Sequence, residues 1–273
     1  MVNFTGKVAL VTGGASGIGA AFARIIVRAG GRVGIADLNE ELGVALMAEL
    51  GEEHAFFLST DVSKLAEMTH FVDGTVDRFG QADILFNNAG IGGMGTTMDL
   101  DDCTFRKVME VDLYSVFYGC KAVLPYMLKA GNGAIINNAS ISGMLGDFGM
   151  TAYNTAKGGI VNYTRALAMD VARKGIRVNA ICPGCIDTPL FSGLKAAPSV
   201  FENFVGAVPM GRIGEPEEIA EVVAFIASDA ASYMTGAVIP VDGGITATTG
   251  FPDLAPFMEE LQKAFNASDT SSG

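Results

Sequence analysis

Tyr153 and Lys157 lie four residues apart in the segment TAYNTAKGG, residues 151–159. On a helix, residues four apart lie on the same face, so the phenol and the ammonium would point the same way. A nearby cation favours the ionised form of a phenol, which would make such a tyrosine usable for proton transfer closer to neutral pH. The pair suggests acid–base chemistry, although one pair alone does not establish it.

Three glycines, Gly13, Gly17 and Gly19, occur in the segment TGGASGIG, residues 12–19. The segment lies between an apolar, β-rich run (7–12) and an apolar, helix-like run (18–30). Glycines at this place let the backbone and the N-terminus of the helix approach a pyrophosphate. We predict a dinucleotide-binding loop; the alternative is a tight turn with only a structural role.

Asp37 ends the second apolar run, 32–37. An acid at this place accepts hydrogen bonds from the adenosine ribose hydroxyls and repels a 2′-phosphate. Its neighbours are not basic, since the run continues as ADLNEE and Ser16 precedes Gly17. The sequence therefore predicts NAD rather than NADP as cofactor. The structural alternative is that Asp37 caps a helix starting near Asn39.

Short apolar runs alternate with helix-like segments along the chain. Near-continuous apolar strands indicate burial on both faces, as in a parallel sheet covered by helices. The predicted fold is α/β, a single-domain Rossmann-type doubly wound parallel sheet of about seven strands flanked by helices. The candidate strands are 7–12, 32–37, 55–60, 82–87, 133–139, 176–181 and 237–242, and the longer candidate helices are 39–50, 64–79, 102–129 and 152–174.

We expect a single dinucleotide-binding and catalytic domain over residues 1–265, without internal repeats or linkers. The longest departure from the strand–helix alternation is 186–214. A C-terminal extension, 245–265, contains a predicted helix from Pro256 whose apolar residues recur at helical spacing, so this helix needs a surface to cover. The small, polar residues 266–273 are predicted to be a disordered tail.

Composition narrows the possible partners and location. The chain has 273 residues, 49% of them hydrophobic, a formal net charge of −12 and a sequence pI of about 4.6. This acidity argues against a nucleic acid, an anionic membrane or an acidic protein as partner. No signal-peptide pattern opens the sequence and no long apolar run suggests a membrane span, so we expect a cytoplasmic protein.

The four cysteines are Cys103, Cys120, Cys182 and Cys185. The last two form the motif CPGC, which is compatible with a redox pair or half of a zinc site. No second motif of this kind exists, and the histidines His54 and His70 are distant in sequence. We therefore predict buried structural thiols and no metal.

An ordered set of motifs resembles the short-chain dehydrogenase/reductase family in its compact single-domain, NAD-dependent branch. Besides the glycine loop, the motifs are DV (61–62), NNAG (87–90), Ser140, YNTAK (153–157), PG (183–184) with Thr188, GRIGEPEEIA (211–220) and VDGG (241–244). The resemblance covers residues 4 to about 245, and the order and spacing of the motifs make coincidence negligible.

This resemblance implies a role for each motif. Tyr153 would be the general acid/base, Lys157 would bind the nicotinamide ribose and assist the tyrosine, and Ser140 would bind the substrate oxygen. Asn87 is expected to tie strands together. The residues expected to bind the cofactor are Gly13, Ser16, Gly17, Ile18, Gly19, Asp37, Leu38, Asp61, Val62, Asn88, Ala89, Gly90, Tyr153, Lys157, Pro183, Gly184, Ile186 and Thr188.

One candidate catalytic residue departs from the family pattern. Asp112, in EVDLYS, stands where the family usually has an asparagine that supports a water relay to the lysine, partly through its backbone carbonyl. An aspartate can supply that carbonyl, but its carboxylate would change the electrostatics around Lys157 and disfavour ionisation of Tyr153. We expect activity with an altered pH profile.

By the same resemblance, 186–214 would be a lid over the substrate. Between Leu190 and Arg212 its only charged residues are Lys195 and Glu202. The favoured substrate is an apolar alicyclic, aryl-alkyl or steroid-like secondary alcohol or its ketone. Half of the apolar residues are expected to pack within the lid or a subunit interface; they are Leu190, Phe191, Leu194, Phe201, Phe204, Val205, Val208 and Met210, joined before Tyr153 by Met144, Leu145, Phe148 and Met150.

Family members commonly form tetramers or dimers, so a homotetramer or a homodimer is expected. The alternatives are a 3-oxoacyl reductase, a polyol dehydrogenase and a non-catalytic NAD-binding regulator. Asp37 and the acidic composition disfavour the first, the apolar lid disfavours the second, and Asp112 is the only support for the third.

Overall fold

The computed structural model describes residues 2–250 and 254–269 and shows a parallel seven-stranded sheet within them. The order across the sheet is β3-β2-β1-β4-β5-β6-β7, and each neighbouring pair is parallel. The predicted fold class is confirmed. The strands are β1 (Val8–Thr12), β2 (Arg32–Asp37), β3 (Ala55–Ser59), β4 (Ile84–Asn87), β5 (Gly133–Asn138), β6 (Ile176–Pro183) and β7 (Val238–Val241).

The helices lie between these strands and after them. Their bounds are α1 (Gly17–Arg28), α2 (Glu40–Leu50), α3 (Leu65–Phe79), α4 (Asp102–Val108), α5 (Ser115–Ala130), α6 (Thr151–Val171), α7 (Pro189–Lys195), α8 (Pro198–Ala207), α9 (Pro216–Ala227) and α10 (Met258–Asp269). A short 3₁₀ turn, Ala255–Phe257, precedes α10.

Two sequence-based boundaries are corrected. The single helix predicted over 102–129 is interrupted between α4 and α5 by a π-helical segment, Met109–Tyr114. Because a π turn inserts residues without breaking the chain's helical path, an apolar pattern does not reveal it. Residues 266–269, predicted as part of the disordered tail, continue α10, while 270–273 lie outside the described residues.

The sheet buries side chains on both faces, which explains why its strands are so apolar. Leu10 and Leu85 pack in one cluster together with residues of α3, α5 and α6. Val11 and Phe86 point the opposite way and pack with α1 and α9, where the rings of Phe22 and Phe86 meet edge to face at 5.1 Å. Successive side chains along a strand thus enter two apolar cores, one on each face of the sheet, and do not alternate between a core and solvent.

A chain of buried amides joins the middle of the sheet to α6. Asn87 Nδ2 donates to Asn137 Oδ1 (2.9 Å), and Asn137 Nδ2 donates to Thr164 Oγ1 on α6 (2.9 Å). Asn87 therefore ties β4 to β5, as expected. The contacts also fix the rotation of α6, the helix that carries Tyr153 and Lys157, relative to the sheet.

Strand order reverses at β1, whose neighbours are β2 and β4. In doubly wound sheets, ligands bind beyond the carboxyl ends of the strands at such a reversal. Thr12, Asn87 and Asn138 end β1, β4 and β5 at this edge. The sequence motifs singled out above therefore converge on one crevice.

Candidate active site

The glycine loop after β1 approaches the loop after β4 too closely for side chains. Gly13 and Gly17 have φ of 59° and 51°, which favour glycine. A Cβ on Gly13 would lie 2.8 Å from Ala89 Cα, and one on Gly19 would overlap the carbonyl oxygen of Gly13. The glycines are therefore required by the packing of the two loops as well as by backbone conformation.

The first turn of α1 presents backbone N–H groups to this crevice. Ser16 is the N-cap residue and makes no side-chain capping hydrogen bond, and the first turn holds no acidic residue. Asn88 fixes the loop from below, because its Nδ2 donates to Thr12 O (3.0 Å) and Gly13 O (2.9 Å). These features are those of a helix N-terminus that binds a pyrophosphate.

Asp37, at the end of β2, faces the glycine loop. Its Oδ2 accepts a hydrogen bond from Ala15 N (3.0 Å) and its Oδ1 accepts one from Asn39 N (2.9 Å). The N-cap of α2 is Asn39, whose side chain accepts from Leu42 N, so the alternative of Asp37 as helix cap is wrong. The exposed side chain of Leu38 lies next to Asp37 in sequence.

The turn after β3 adds Asp61 and Val62. Asp61 accepts hydrogen bonds from the hydroxyl and the N–H of Ser63 and pairs with Lys64 at 3.1 Å. The Ser63 hydroxyl is the largest cause holding the pKa of Asp61 below its ordinary value, although burial acts in the opposite direction. Val62 is buried, and Thr60 N donates to Asp37 O (3.0 Å), so this turn borders Asp37.

Lys157 is buried at the centre of the proposed catalytic group. Its Nζ lies 5.4 Å from the ring centroid of Tyr153, which is half-buried on the same face of α6. The Nζ donates to Asn138 O (3.2 Å) and lies 3.3 Å from Asp112 Oδ2. Sequence reasoning missed Asn138, because a backbone carbonyl that fixes a lysine leaves no trace in residue type.

Ser140 follows β5 and is 7% exposed. Its hydroxyl oxygen accepts from Ser142 N (3.1 Å) and caps a 3₁₀ turn, Ile141–Gly143, which packs against α6. The turn holds Ser140 next to the helix that carries Tyr153. Buried Cys182 lies behind this group, and burial raises the pKa of its thiol to about 11, so the thiol stays protonated.

Asp112 lies in the π-helical segment and is fully buried. Its Oδ1 accepts from Ile91 N (2.8 Å) in the loop after β4. Burial raises the pKa of the Asp112 carboxyl, while Lys157 and the Ile91 N–H partly offset this. Burial lowers the pKa of Lys157, but Asp112 and Tyr153 outweigh it, so the lysine's pKa is raised.

The segment 186–214, predicted to be a lid, has a small core of its own. Its two ends are joined, because Ile186 and Gly214 form a parallel bridge. Phe191 on α7 meets Phe201 and Phe204 on α8 edge to face, at 6.3 and 5.5 Å between ring centroids. Leu190 and Met210 are exposed, while Val208 is buried.

The lid also reaches the cofactor crevice. A Cβ on Gly17 would lie 3.2 Å from Thr188 Cγ2, so the start of the lid covers the glycine loop. Pro183 ends β6, and Gly184 lies against the backbone of Asp242, where a Cβ would be 2.8 Å from Asp242 Cα. Ile186 is buried at the same edge.

Exposed apolar side chains surround the mouth of the crevice. Leu145 and Phe148 are more than half exposed, and the latter has no covering contact in the isolated chain. Two exposed methionines in the loop after β4, Met94 and Met98, were not predicted. The pairing of Gly95 with Met150 brings that loop beside 144–150, a contact that sequence spacing does not reveal.

The four cysteines lie in different environments. All four cysteines are free; Cys120 and Cys182 are buried as predicted, whereas Cys185 is only half-buried and Cys103, on α4, is exposed. Among residues 2–250 and 254–269, no group of three or more metal-ligating side chains occurs. Over the same residues, no helix is both long and apolar enough to cross a membrane.

The sequence family described as enoyl-(acyl carrier protein) reductase matches residues 13–246. The chain is 43% identical over 246 residues to cis-4-hydroxycyclohexanecarboxylate dehydrogenase of Sinomonas cyclohexanicum, covering 89% of this chain and 98% of that protein. It is 37% identical over 253 residues to meso-2,3-butanediol dehydrogenase of Serratia marcescens, covering 93% and 100%. It is 39% identical over 242 residues to 3-oxoacyl-(acyl-carrier-protein) reductase of Chlamydia muridarum, covering 88% and 97%.

Two solved structures are similar throughout. Levodione reductase has a TM-score of 0.85 and 38% identity, covering 90% of this chain and 100% of that one. A variant of actinorhodin polyketide ketoreductase with NADPH has a TM-score of 0.86 and 36% identity, with the same coverage.

The fold and these relationships define a nicotinamide-dependent oxidoreductase of the Rossmann class. The chain belongs to the short-chain dehydrogenase/reductase family. The predictions of an enzyme and of a secondary alcohol or ketone as its substrate are confirmed, and a non-catalytic regulator is set aside.

Proposed function

We propose that the protein is an NAD-dependent dehydrogenase/ketoreductase for uncharged alicyclic or aryl-alkyl alcohols. The proposed catalytic activity rests on one observation. Tyr153, Lys157 and Ser140 lie together at the carboxyl edge of the sheet. Lys157 Nζ lies over the tyrosine ring, and the turn at Ser140 packs on the same helix.

The residues of the crevice fit a nicotinamide dinucleotide. The glycine loop and the uncapped N–H groups of α1 would hold the pyrophosphate, and Asp37 would hold the adenosine ribose. Asp61 and Val62 would border the adenine, and the loop of residues 88–90 would border the ribose. The nicotinamide end would lie beside Pro183, Gly184, Ile186 and Thr188. When bound, the cofactor accepts or supplies the hydride.

The chain's own residues move the proton. In alcohol oxidation, Ser140 Oγ would donate a hydrogen bond to the substrate oxygen, and the phenolate of Tyr153 would accept the hydroxyl proton as the carbinol carbon loses its hydride. In ketone reduction, the phenol would return that proton to the carbonyl oxygen. Lys157 would stabilise the phenolate and position the nicotinamide ribose.

Asp37 supports NAD over NADP, because a carboxylate that already holds the glycine loop would repel a 2′-phosphate. The NADPH of one structural neighbour belongs to that protein. No basic side chain occurs in Leu38–Glu41 to favour the phosphate.

The lid supports an uncharged substrate. Lys195 pairs with Asp187 (2.6 Å), and Arg212 pairs with Glu218 (2.7 Å). Both cations of 187–214 therefore have carboxylate partners, which disfavours a substrate carboxylate of the kind named for the Sinomonas relative. Apolar side chains such as Leu190 and Met210 would contact a ring instead.

A 3-oxoacyl reductase is the second candidate, supported by the Chlamydia relative. It requires a thioester on an acidic carrier, which the net charge of −12 would repel. A polyol dehydrogenase is supported by the Serratia relative, but the exposed lid side chains offer few polar groups to additional hydroxyls.

We further propose a homodimer or homotetramer in the cytoplasm. A groove of about 390 Å³ between α5 and α6 is lined by apolar side chains, including Phe117 and Leu128, with Lys121 on one side and Asp170 on the other. A second copy related by a two-fold axis would place each lysine near the partner's aspartate. Four free thiols suit a reducing compartment.

The test is NADH formation from NAD⁺ with a panel of small diols, cyclohexanols, 4-hydroxycyclohexanecarboxylate, 1-phenylethanol and hydroxysteroids. Tyr153→Phe should reduce turnover at least about 100-fold while retaining NADH binding, because only the proton-transfer group is removed. Tyr233→Phe, at an exposed tyrosine, is the control. Equal activity of the Tyr153 variant, or turnover confined to acyl thioesters, would refute the proposal.

A further inference from the structure

The contact between Asp112 and Lys157 differs from a relay through a backbone carbonyl. The π-helical segment directs the Asp112 side chain inward, where one oxygen is held by Ile91 N and the other lies 3.3 Å from Lys157 Nζ. That second oxygen has no well-aligned hydrogen-bond donor among the described residues. The positive charge of Lys157 therefore compensates the negative charge of this oxygen. A Cβ on Gly90 would lie within 3.3 Å of both groups, so the pair borders the cofactor loop.

The other ionisable groups around the pair are few. Tyr153 lies on α6 with its ring 5.4 Å from Lys157 Nζ. Cys182 on β6 faces Lys157 as a protonated thiol, with Arg165 and Asp242 acting on it from farther away. Glu110 and Tyr114 of the π-helical segment are exposed. Within the described residues, Asp112 is thus the one carboxylate in contact with the catalytic lysine.

We propose that Asp112 is a positioning residue that holds Lys157 in place and cancels much of its charge, so that Tyr153 becomes a phenolate only at higher pH. The inference rests on the proposed function. Alcohol oxidation uses the phenolate and ketone reduction uses the phenol. The pair therefore extends ketone reduction through neutral pH and moves alcohol oxidation towards alkaline pH.

Asp112 also has the opposite influence, because it helps to keep the buried lysine protonated. We expect the cancellation of the Lys157 charge to influence Tyr153 more than this stabilisation of the protonated lysine does. Lys157 retains the Asn138 carbonyl as a hydrogen-bond acceptor, and this contact favours the protonated lysine after a neutral substitution of Asp112. Removing the carboxylate then exposes Tyr153 to the full lysine charge.

The test compares Asp112→Asn and Asp112→Ser with the wild type in pH profiles of kcat/KM for NAD⁺-linked oxidation of the best alcohol. The rising limb should move by about one pH unit to lower pH in both variants. Oxidation at neutral pH should therefore rise about tenfold, with a plateau changed only a few-fold. Asp101→Asn, at the exposed N-cap of α4, should leave the profile unchanged.

A second readout does not require turnover. The near-ultraviolet absorbance of tyrosinate is titrated for the wild type and for Asp112→Asn, each with and without Tyr153→Phe, so that the difference reports Tyr153 alone. Its midpoint should be lower in the Asp112 variant. A lowered midpoint in a protein that oxidises no alcohol would refute the proposed function but not this inference. The inference alone would be overturned if the variants oxidise alcohol but the rising limb of their pH profile stays in place or moves to higher pH. A loss of kcat/KM that is equal at every pH would overturn it as well.

Discussion

Asp37 has two partners to satisfy, and this makes its substitution informative. Its Oδ2 holds Ala15 N in the glycine loop, and the same carboxylate would bind the adenosine ribose. Asparagine keeps one acceptor oxygen, which can serve Ala15 N in place of Asn39 N, but it loses the charge that repels a 2′-phosphate. The two roles of the residue can therefore be separated.

We expect Asp37→Asn to lower the ratio of kcat/KM for NAD⁺ to that for NADP⁺ by about tenfold or more, since hydrogen bonds to charged groups contribute roughly 1.5–3 kcal/mol. Steady-state kinetics with both cofactors measure the ratio. Glu40→Gln, in the first turn of α2, is the control for loss of a nearby charge. An unchanged ratio would show that Asp37 serves the glycine loop only.

Residue types and spacing led to the candidate site residues but not to the contacts between them. The Tyr153–Lys157 spacing placed both groups on one face of α6, as the structure shows. The tie from Asp37 to Ala15, the Asn138 carbonyl and the Asp112–Lys157 pair were not foreseen as contacts. They depend on how strands and loops distant in sequence are brought together, which residue spacing does not encode.

At the scale of elements, the glycine loop packs against α1 and also forms part of the proposed cofactor site. Gly19 lies where α1 passes over the loop, against Gly13 O, Gly14 Cα and Asn88 Nδ2. Two of these atoms belong to backbone that cannot rotate away. A side chain here must displace the loop that presents the N–H groups of α1.

Gly19→Ala is expected to raise the Kd for NADH at least about tenfold and to destabilise the fold by roughly 1–3 kcal/mol, because overpacked sites shift backbone. Fluorescence titration and thermal unfolding measure the two effects. Gly206→Ala is the matched control, since its Cβ would meet open space within α8. Normal NADH binding by the Gly19 variant would contradict the assigned role of the loop.

Elements with strong periodicity were predicted to within a few residues, and the exceptions have physical causes. The strand edges of β1, β2 and β5 follow from continuous apolar runs bounded by glycine or polar residues. The π-helical segment and the two lid helices were not foreseen. Packing around Asp112 stabilises the former, and the aromatic contact between α7 and α8 stabilises the latter.

At the scale of the whole molecule, several large apolar side chains lie on the surface. Tyr114, which ends the π-helical segment, and Phe117 and Leu128 on α5 are each more than 40% exposed. The 3₁₀ turn and α10 at the C-terminus expose Phe257 and Met258 as well. Exposed apolar side chains of this kind are expected at the proposed interface between subunits.

Leu128→Glu should shift the proposed dimer or tetramer towards smaller species, because it would place a charge in the proposed apolar interface at the groove. Analytical ultracentrifugation at several protein concentrations measures the change. Val44→Glu on α2 has similar exposure and should leave assembly unchanged. If both variants assemble as the wild type does, the α5–α6 groove is not the interface.

The joined ends of the lid have a consequence for how this protein acquires new substrates. Asp187 N donates to Gly214 O and Gly214 N donates to Cys185 O, each at 2.9 Å. The chain between Asp187 and Gly214 therefore leaves the edge of the sheet and returns to it at the same place, so its two ends are held together. Doubling the length of a flexible loop costs only about 0.6 kcal/mol. Because Ile186 and Thr188 belong to the proposed cofactor site, recombination within 189–213 would exchange the two lid helices and the proposed substrate preference, while the residues proposed for cofactor binding and proton transfer stay in place.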